Sequence, residues 1–460
     1  MKNNPGLDLL EFKTVKSVFN NRKTQFISQL PALLFLLIVV FSGFFGIQNS
    51  SKNLATISIW VIWWPLLVIS LALAGRIWCL MCPFGASGDW IQRLTFYKKV
   101  NTAFSLNRKL PVKLRNLYLA VVFFLVVTWA DFQFSLVNSP LNTAYFIVAL
   151  LVLVVITAMI FEKRSFCRYV CPVSGLIGIY SMFAPFELRA KEKEVCRTCI
   201  EKYCMKGNEK GYSCPVFEYP GTMEKNTYCI LCMECKKTCH KENISFNLRK
   251  FGADFVTMTK TRIDESLLIL ILLGVTVFQT VVMIRPWVGF SENIMMYTGA
   301  SYDSIRFGLF IAFIALPVLI YSITIFVSGL IMPHKSFKDI FTGYAYSLIP
   351  LGLMMFIAHN IRHLLEEGTG LIQVISDPFG FGWNLFGTSG YMPAPLLGNN
   401  NILLIQWILM FIGLGYSVSA GRSISRRFFQ EKGFVLVLIL IIAIFSINLW
   451  IIGQPILHKH

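Results

Sequence analysis

Long apolar runs alternate with short polar ones along most of the chain. Nine runs have about the 20 residues that a helix needs to cross roughly 30 Å of hydrocarbon. They span 27 to 47, 55 to 75, 116 to 137, 143 to 161, 265 to 284, 305 to 331, 341 to 362, 401 to 420 and 433 to 452. Lipid offers a free backbone amide no partner, so each is expected to be an α-helix. The first run starts late, is long and has no small-residue cleavage site, and it reads as a membrane anchor. Between the fourth and fifth runs the pattern breaks. Residues 186 to 262 are rich in charge and hold eight of the twelve cysteines, which predicts a soluble insert.

Composition supports a polytopic membrane protein: 55% of the 460 residues are hydrophobic and only 14% are charged. The formal charge of +18 would suit nucleic acid, but the basic residues follow the ends of the apolar runs, and positive-inside topology accounts for them. Lys2, Lys13, Lys16, Arg22 and Lys23 precede the first run. Arg93, Lys98, Lys99, Arg108, Lys109 and Lys113 lie between the second and third, whereas loops 138 to 142 and 365 to 400 have no Lys or Arg. Lys335 and Lys338, then Arg422, Arg426, Arg427 and Lys432, fall on alternate connections. The expected location is a bacterial-type cytoplasmic membrane, with the N-terminus and the insert inside and the C-terminus outside.

Disulfide frameworks do not persist in a reducing cytosol, so the cysteines there are expected to bind metal. Cys229, Cys232 and Cys235 form CxxCxxC, with Cys239 beyond; upstream, Cys196, Cys199 and Cys204 are followed by Cys214-Pro215. In two-cluster bacterial ferredoxins each CxxCxxC wraps one [4Fe-4S] cube and the distant cysteine ligates the other. That rule assigns Cys196, Cys199, Cys204 and Cys239 to one cluster, and Cys229, Cys232, Cys235 and Cys214 to the second. The first motif departs from it: four residues rather than two precede Cys204, nine rather than three precede Cys214, and His240 rather than proline follows Cys239. One cluster plus a zinc site, or purely structural thiols, stay open. Lys236, Lys237 and Lys241 would soften cluster charge, dock an acidic donor, or simply form a solvated basic surface.

The other four cysteines repeat a pattern. Residues 76 to 85 read RIWCLMCPFG and residues 164 to 175 read RSFCRYVCPVSG, each after an even-numbered span. On a helical backbone the gaps put Cys79 with Cys82, and Cys167 with Cys171, on one face. A third Fe-S site, a redox dithiol and plain helix packing are the three readings, with Pro83 and Pro172 serving as helix breaks.

Paired Cys-Pro motifs followed by a double-cluster insert resemble the NapH/NosR/CcoG group of membrane polyferredoxins, over about residues 30 to 262. The resemblance implies electron carriers that serve periplasmic reductases or metal-centre assembly. It carries the ferredoxin ligands onto the eight insert cysteines and the CxxxCP cysteines onto Cys167 and Cys171. Cys79 and Cys82 match with one residue fewer. The expected fold class is all-α polytopic with an inserted small α+β ferredoxin-like domain: a four-helix membrane region over 1–185, a two-cluster domain over 186–262 and a five-helix membrane region over 263–460. The resemblance offers no role for the last five spans, and the flavin-binding and soluble C-terminal domains of some members have no counterpart.

Within those last spans, His359 and His363 lie one turn apart near the outer surface, suited to haem b, copper or a quinone headgroup. A bis-histidine haem would need a partner such as His458 or His460; Met295, Met296 and Met392 would suit copper. Asp131 would accept a quinol proton or mark the interface. The function these features predict is electron transfer between a quinone pool or cytoplasmic donor and an extracytoplasmic reductase, with membrane lipid, quinone and a redox protein as partners. Reduction of a metal ion for copper-centre assembly is the alternative, and transport with a structural cluster domain a third. No Walker A or nucleotide-binding glycine pattern occurs.

Overall fold

The computed structural model is predominantly helical and describes residues 6–456 apart from 22, 94–103, 333, 430 and 432. Lys2, Arg22, Lys98, Lys99, Lys432, His458 and His460 lie outside the described residues. Eight described helices are long and apolar enough to cross a membrane: Lys23–Phe45, Leu54–Ala74, Pro140–Ile160, Ile263–Val281, Tyr302–Ile331, Phe337–Glu367, Asn399–Phe429 and Phe434–Ile452. The remaining expected span is the shorter helix Tyr118–Phe134. It stops where Ser135 turns left-handed at φ 50° and a single 3-10 turn, Leu136–Asn138, follows. The molecule is an all-α polytopic membrane protein with one small three-stranded sheet.

The chain forms two compact units, Met1–Asp254 with Glu367–Ala394, and Phe255–Glu366 with Pro395–His460. In the first, the insert is built on an antiparallel pair. Strand β2 (Phe186–Ala190) runs against β3 (Ile244–Leu248), with Leu188 opposite Phe246. A third strand, β1 (Leu7–Asp8), joins the other edge of β3, and the charge pattern of the N-terminal segment gave no sign of it. Asp8 explains the docking: one carboxylate oxygen accepts from Leu10 N and Phe246 N, both at 3.0 Å. Leu10 is then buried with Leu188, Met233, Ile244 and Phe246, and Phe19 meets Phe246 edge-on at 5.7 Å. The basic segment ahead of the first span is therefore part of the insert's core as well as a topology signal.

On the β2 side the sheet is tied by Asp254, which is fully buried. Its carboxylate accepts from Arg189 Nη2 at 2.9 Å, from Arg249 Nη1 and from Asn226 N at 2.8 Å. Asn226 in turn donates to Phe186 O at 2.7 Å, which holds the approach to the CxxCxxC loop against the strand.

The second unit contains five membrane helices, and Asp264, Glu265, Asn360, Arg362 and Gln406 are among its buried polar side chains. The apolar stretch of Phe337–Glu367 is buried along its length. Asn399–Phe429 packs close to it because residue 413 is glycine: a Cβ there would come within 2.9 Å of Met354 Cβ and 3.1 Å of Leu351 Cα. Glu265, fully buried, accepts from Tyr346 Oη at 2.5 Å.

Burial alone would raise the Asp254 carboxyl, but Arg249 and Arg189 hold it below the usual carboxylate range. Its contribution is therefore present above the ordinary Asp pKa of about 3.9 and lost as pH falls through the lower folded value. Asp254→Ala leaves Arg249 and Arg189 with Glu187 as their remaining carboxylate and is expected to cost roughly 3 kcal/mol. Urea unfolding of the detergent-solubilised protein should show this loss at pH 7, and much less of a difference from the parent chain in strong acid.

Candidate metal centres

The insert's eight cysteines line two hollows, four to each. Cys214, Cys229, Cys232 and Cys235 surround the inner one, with Val216 and Met233 among its apolar walls. Cys196, Cys199, Cys204 and Cys239 surround the outer one, beside Tyr219 and Asn243. Pro220 lines both. The structure thus groups Cys214 with the downstream motif and Cys239 with the upstream one. All twelve cysteines are free thiols.

Local backbone geometry explains how so short a sequence curls around a hollow. In CILCMEC the intervening residues Leu231 and Met233 both adopt left-handed φ, 54° and 60°, although neither is glycine. Such residues cost about 1–3 kcal/mol each and persist where the surroundings impose them. The bends bring the amides of Leu231 and Glu234 onto the sulfurs of Cys229 and Cys232. Similar donors serve other ligand positions: Glu218 N reaches Cys214 Sγ at 3.3 Å, and Asn243 reaches Cys239 Sγ through its backbone N at 3.4 Å and Cys196 Sγ through Nδ2 at 3.3 Å. An N–H aimed at sulfur favours the thiolate, the form that binds iron.

Against these donors stand burial and mutual repulsion. Burial, with repulsion between neighbouring sulfurs added, pushes Cys229 and Cys232 up to about 12, and Cys204 and Cys214 up to about 11. Four such thiols ionise together only when a cation lies among them. The spacing of the sulfurs bears on which cation. Four thiolates on one zinc at about 2.3 Å would sit roughly 3.8 Å apart. Among the described residues, no three cysteine sulfurs lie within 4.8 Å of one another. Three sulfurs of a closed zinc site would all fall within that distance, so the thiols as they stand are not drawn together around a single ion.

Glu234 is a residue that the spacing rules missed. Buried at 3% exposure, it pairs with Lys237 at 2.8 Å and accepts from Tyr212 N at 2.7 Å, so it fastens the loop ahead of Cys214 to the downstream motif. Lys237 is thereby committed to an internal ion pair. Lys236 lies 3.5 Å from Asn20 Oδ1, and Lys241 is exposed.

The remaining four cysteines also converge. Gly75, with φ 59°, turns the chain sharply out of the Leu54–Ala74 span. A short helix, Ile77–Met81, then carries Cys79; Cys82 is extended, and Pro83 starts the helix Pro83–Arg93. The second copy does the same with Ser165–Tyr169, extended Cys171 and Pro172–Tyr180. Neither pair lies on a continuous helix, because a residue before proline is driven out of the α region; the prolines open helices rather than end them. Burial raises three of these thiols, and neighbouring sulfurs add to it: Cys79 raises Cys82, Cys171, Cys82 and Cys79 raise Cys167, and Cys82 and Cys79 raise Cys171. Cys79 also packs against the buried cluster of Cys214, Val216 and Ile230, residues that line the inner hollow.

The repeated arginines cross between the copies. Arg164 donates through Nη1 to Cys79 O at 2.9 Å and pairs with buried Asp89 at 2.7 Å. Arg76 reaches the hydroxyl of Ser174 in the second copy. The repeat displays both arginines, but not that each would serve the other half.

His359 and His363 are brought together, ring centres 5.3 Å apart, and His359 Nδ1 lies 3.2 Å from Thr280 Oγ1. Among the described residues no third His, Cys, Asp or Glu atom completes a compact ligand set with them. Asp131 accepts from Val137 N at 3.0 Å and so braces the turn after its helix. Met296 and Met392 are exposed.

Residues 57–111 and 143–187 match a 4Fe-4S binding domain family. These stretches contain Cys79, Cys82, Cys167 and Cys171 and none of the insert's eight. An uncharacterized protein of Methanocaldococcus jannaschii is 29% identical over 178 residues, 38% of this chain and 65% of that protein. The putative electron transport protein YccM of Escherichia coli is 30% identical over 104 residues, 22% of this chain and 27% of YccM. The regulatory protein NosR of Stutzerimonas stutzeri is 27% identical over 196 residues, 39% of this chain and 26% of NosR. The chain thus spans under two thirds of each of these relatives. No solved structure matches it.

Elemental analysis of anaerobically purified protein tests the ligand chemistry. Iron and acid-labile sulfide are expected in equal amounts, at least about eight of each per chain, without stoichiometric zinc. One zinc per chain with about four irons would return one hollow to a zinc site.

Proposed function

We propose that this chain, which is similar to the NosR/NapH type of membrane iron-sulfur proteins, carries electrons between a quinone pool or a soluble cytoplasmic donor and an extracytoplasmic reductase. The observation that carries this reading is the pair of four-thiol hollows sharing a wall at Pro220. Cys214, Cys229, Cys232 and Cys235 would hold one [4Fe-4S] cluster, and Cys196, Cys199, Cys204 and Cys239 the other. Such clusters, when bound, supply one-electron carriage at potentials set by charge, hydrogen bonding and exposure.

The protein's own residues supply those settings. Leu231, Glu234, Glu218 and Asn243 direct N–H groups at ligand sulfurs and so favour the more negatively charged, reduced state. The walls differ in solvent access: Cys235 is buried at 8% exposure, while Cys199 lies beside exposed Glu201 and His240. The outer hollow is the natural meeting point for a soluble partner and the inner one faces the membrane-edge cysteines. The preference of Lys and Arg for the cytoplasmic side supports reading the insert as cytoplasmic. Quinone would serve the lipid side, because roughly 30 Å of hydrocarbon separates that insert from any reductase outside.

Menaquinol added to the anaerobic, oxidised protein in lipid should bleach the visible cluster absorption, or draw electrons from it when the quinone is added to the reduced protein. Exchange with neither quinone nor a low-potential soluble donor, together with tight external copper binding, would replace this reading by metal-centre assembly.

A further inference from the structure

Arg76 is buried at 3% exposure, at the end of a membrane span. Its Nη1 donates to Thr227 O at 2.6 Å, and its Nη2 donates to the Ser174 hydroxyl and lies 3.8 Å from Cys79 Sγ. Its Nε has no hydrogen-bond partner among the described residues. The equivalent arginine of the second copy, Arg164, is neutralised by Asp89. Arg76 has no carboxylate within ion-pair distance among the described residues, and the sulfur of Cys79 lies 3.8 Å from its Nη2. Removing an ion from water costs several kcal/mol even after relaxation, and an anion nearby is what normally offsets it.

Neutral thiols do not supply that anion. A four-thiolate iron-sulfur cluster does supply it, since its thiolates and sulfides together outweigh the charge of its irons.

We propose that Cys79, Cys82, Cys167 and Cys171 ligate a further iron-sulfur cluster and that Arg76 is its buried counter-ion, holding its reduction potential up. The assignment rests on reading the chain as an iron-sulfur electron carrier, but not on the ligand sets of the insert. Reduction adds one electron to the irons, breaks no bond and takes no proton from Arg76, whose guanidinium stays charged throughout. The extra negative charge is stabilised by that guanidinium, which is why its removal lowers the potential. Because Cys79 packs against the cluster of Cys214, Val216 and Ile230 that lines the inner hollow, the site stands next to it, and the three thiol sets form one series from the insert's surface to the end of the spans.

The test uses the full chain, purified anaerobically. The double variant Cys167→Ser/Cys171→Ser should fall from about twelve irons to about eight, with the insert's signals retained in electron paramagnetic resonance. In a redox titration Arg76→Gln should shift one midpoint to lower potential and leave the others in place, and Arg76→Lys should restore part of the shift. Unchanged iron in the double variant, loss of one zinc in place of iron, or an Arg76→Gln titration with no midpoint moved would overturn the proposal. Cys232→Ser separates it from the insert assignment: that variant keeping all its iron while the double variant loses a third would sink the inner-hollow ligand set and leave the membrane-edge site standing.

Discussion

Cysteine sulfurs gathered in a protein interior repel one another as they lose their protons, and burial withdraws the water that would screen them. This chain accepts that conflict three times, with four thiols in each place. The surrounding structure bends toward it: left-handed Leu231 and Met233, amides turned onto sulfur, and two buried arginines at the membrane-edge set. Left as thiols, these arrangements would strain the fold with no return. Around iron the same features become consistent, because thiolate charge, amide donors and guanidinium each meet their complement.

That constraint also rationalises the architecture of the first unit. Two copies of a span followed by a short helix, an extended Cys-Pro and a second helix place their thiols together only if each copy's arginine is satisfied by the other. The insert, which follows the second copy, then closes its sheet with a strand from ahead of the first span. The N-terminal segment, both spans and the insert are thus mutually dependent, and Asp8, Asp89 and Asp254 are the carboxylates that hold the joins.

Much of this was legible in the sequence, for physical reasons. Spans are dictated by local apolarity, so Pro140–Ile160 and Phe434–Ile452 fall close to the runs 143 to 161 and 433 to 452. The two hollows follow from cysteine spacing because a cluster imposes local chain geometry. Strand β1 was invisible because two residues carry no periodicity and its partner is about 240 positions away. The Cys-Pro pairs were read as helical faces since spacing alone ignores the extended bias before proline. Glu234 and Asn243 escaped notice because their roles depend on loops that spacing does not fold. His359 and His363 were found from helical periodicity, and the structure adds Thr280 as their neighbour.

The most direct measurement is the electron paramagnetic resonance spectrum of the fully reduced protein. Clusters in hollows that share Pro220, with a further set packed against the inner one, should broaden and split one another's signals, and diluting the electrons to about one per chain should remove the effect. A fully reduced spectrum that is the plain sum of isolated cubane signals, or that shows no cluster signal, would contradict the account.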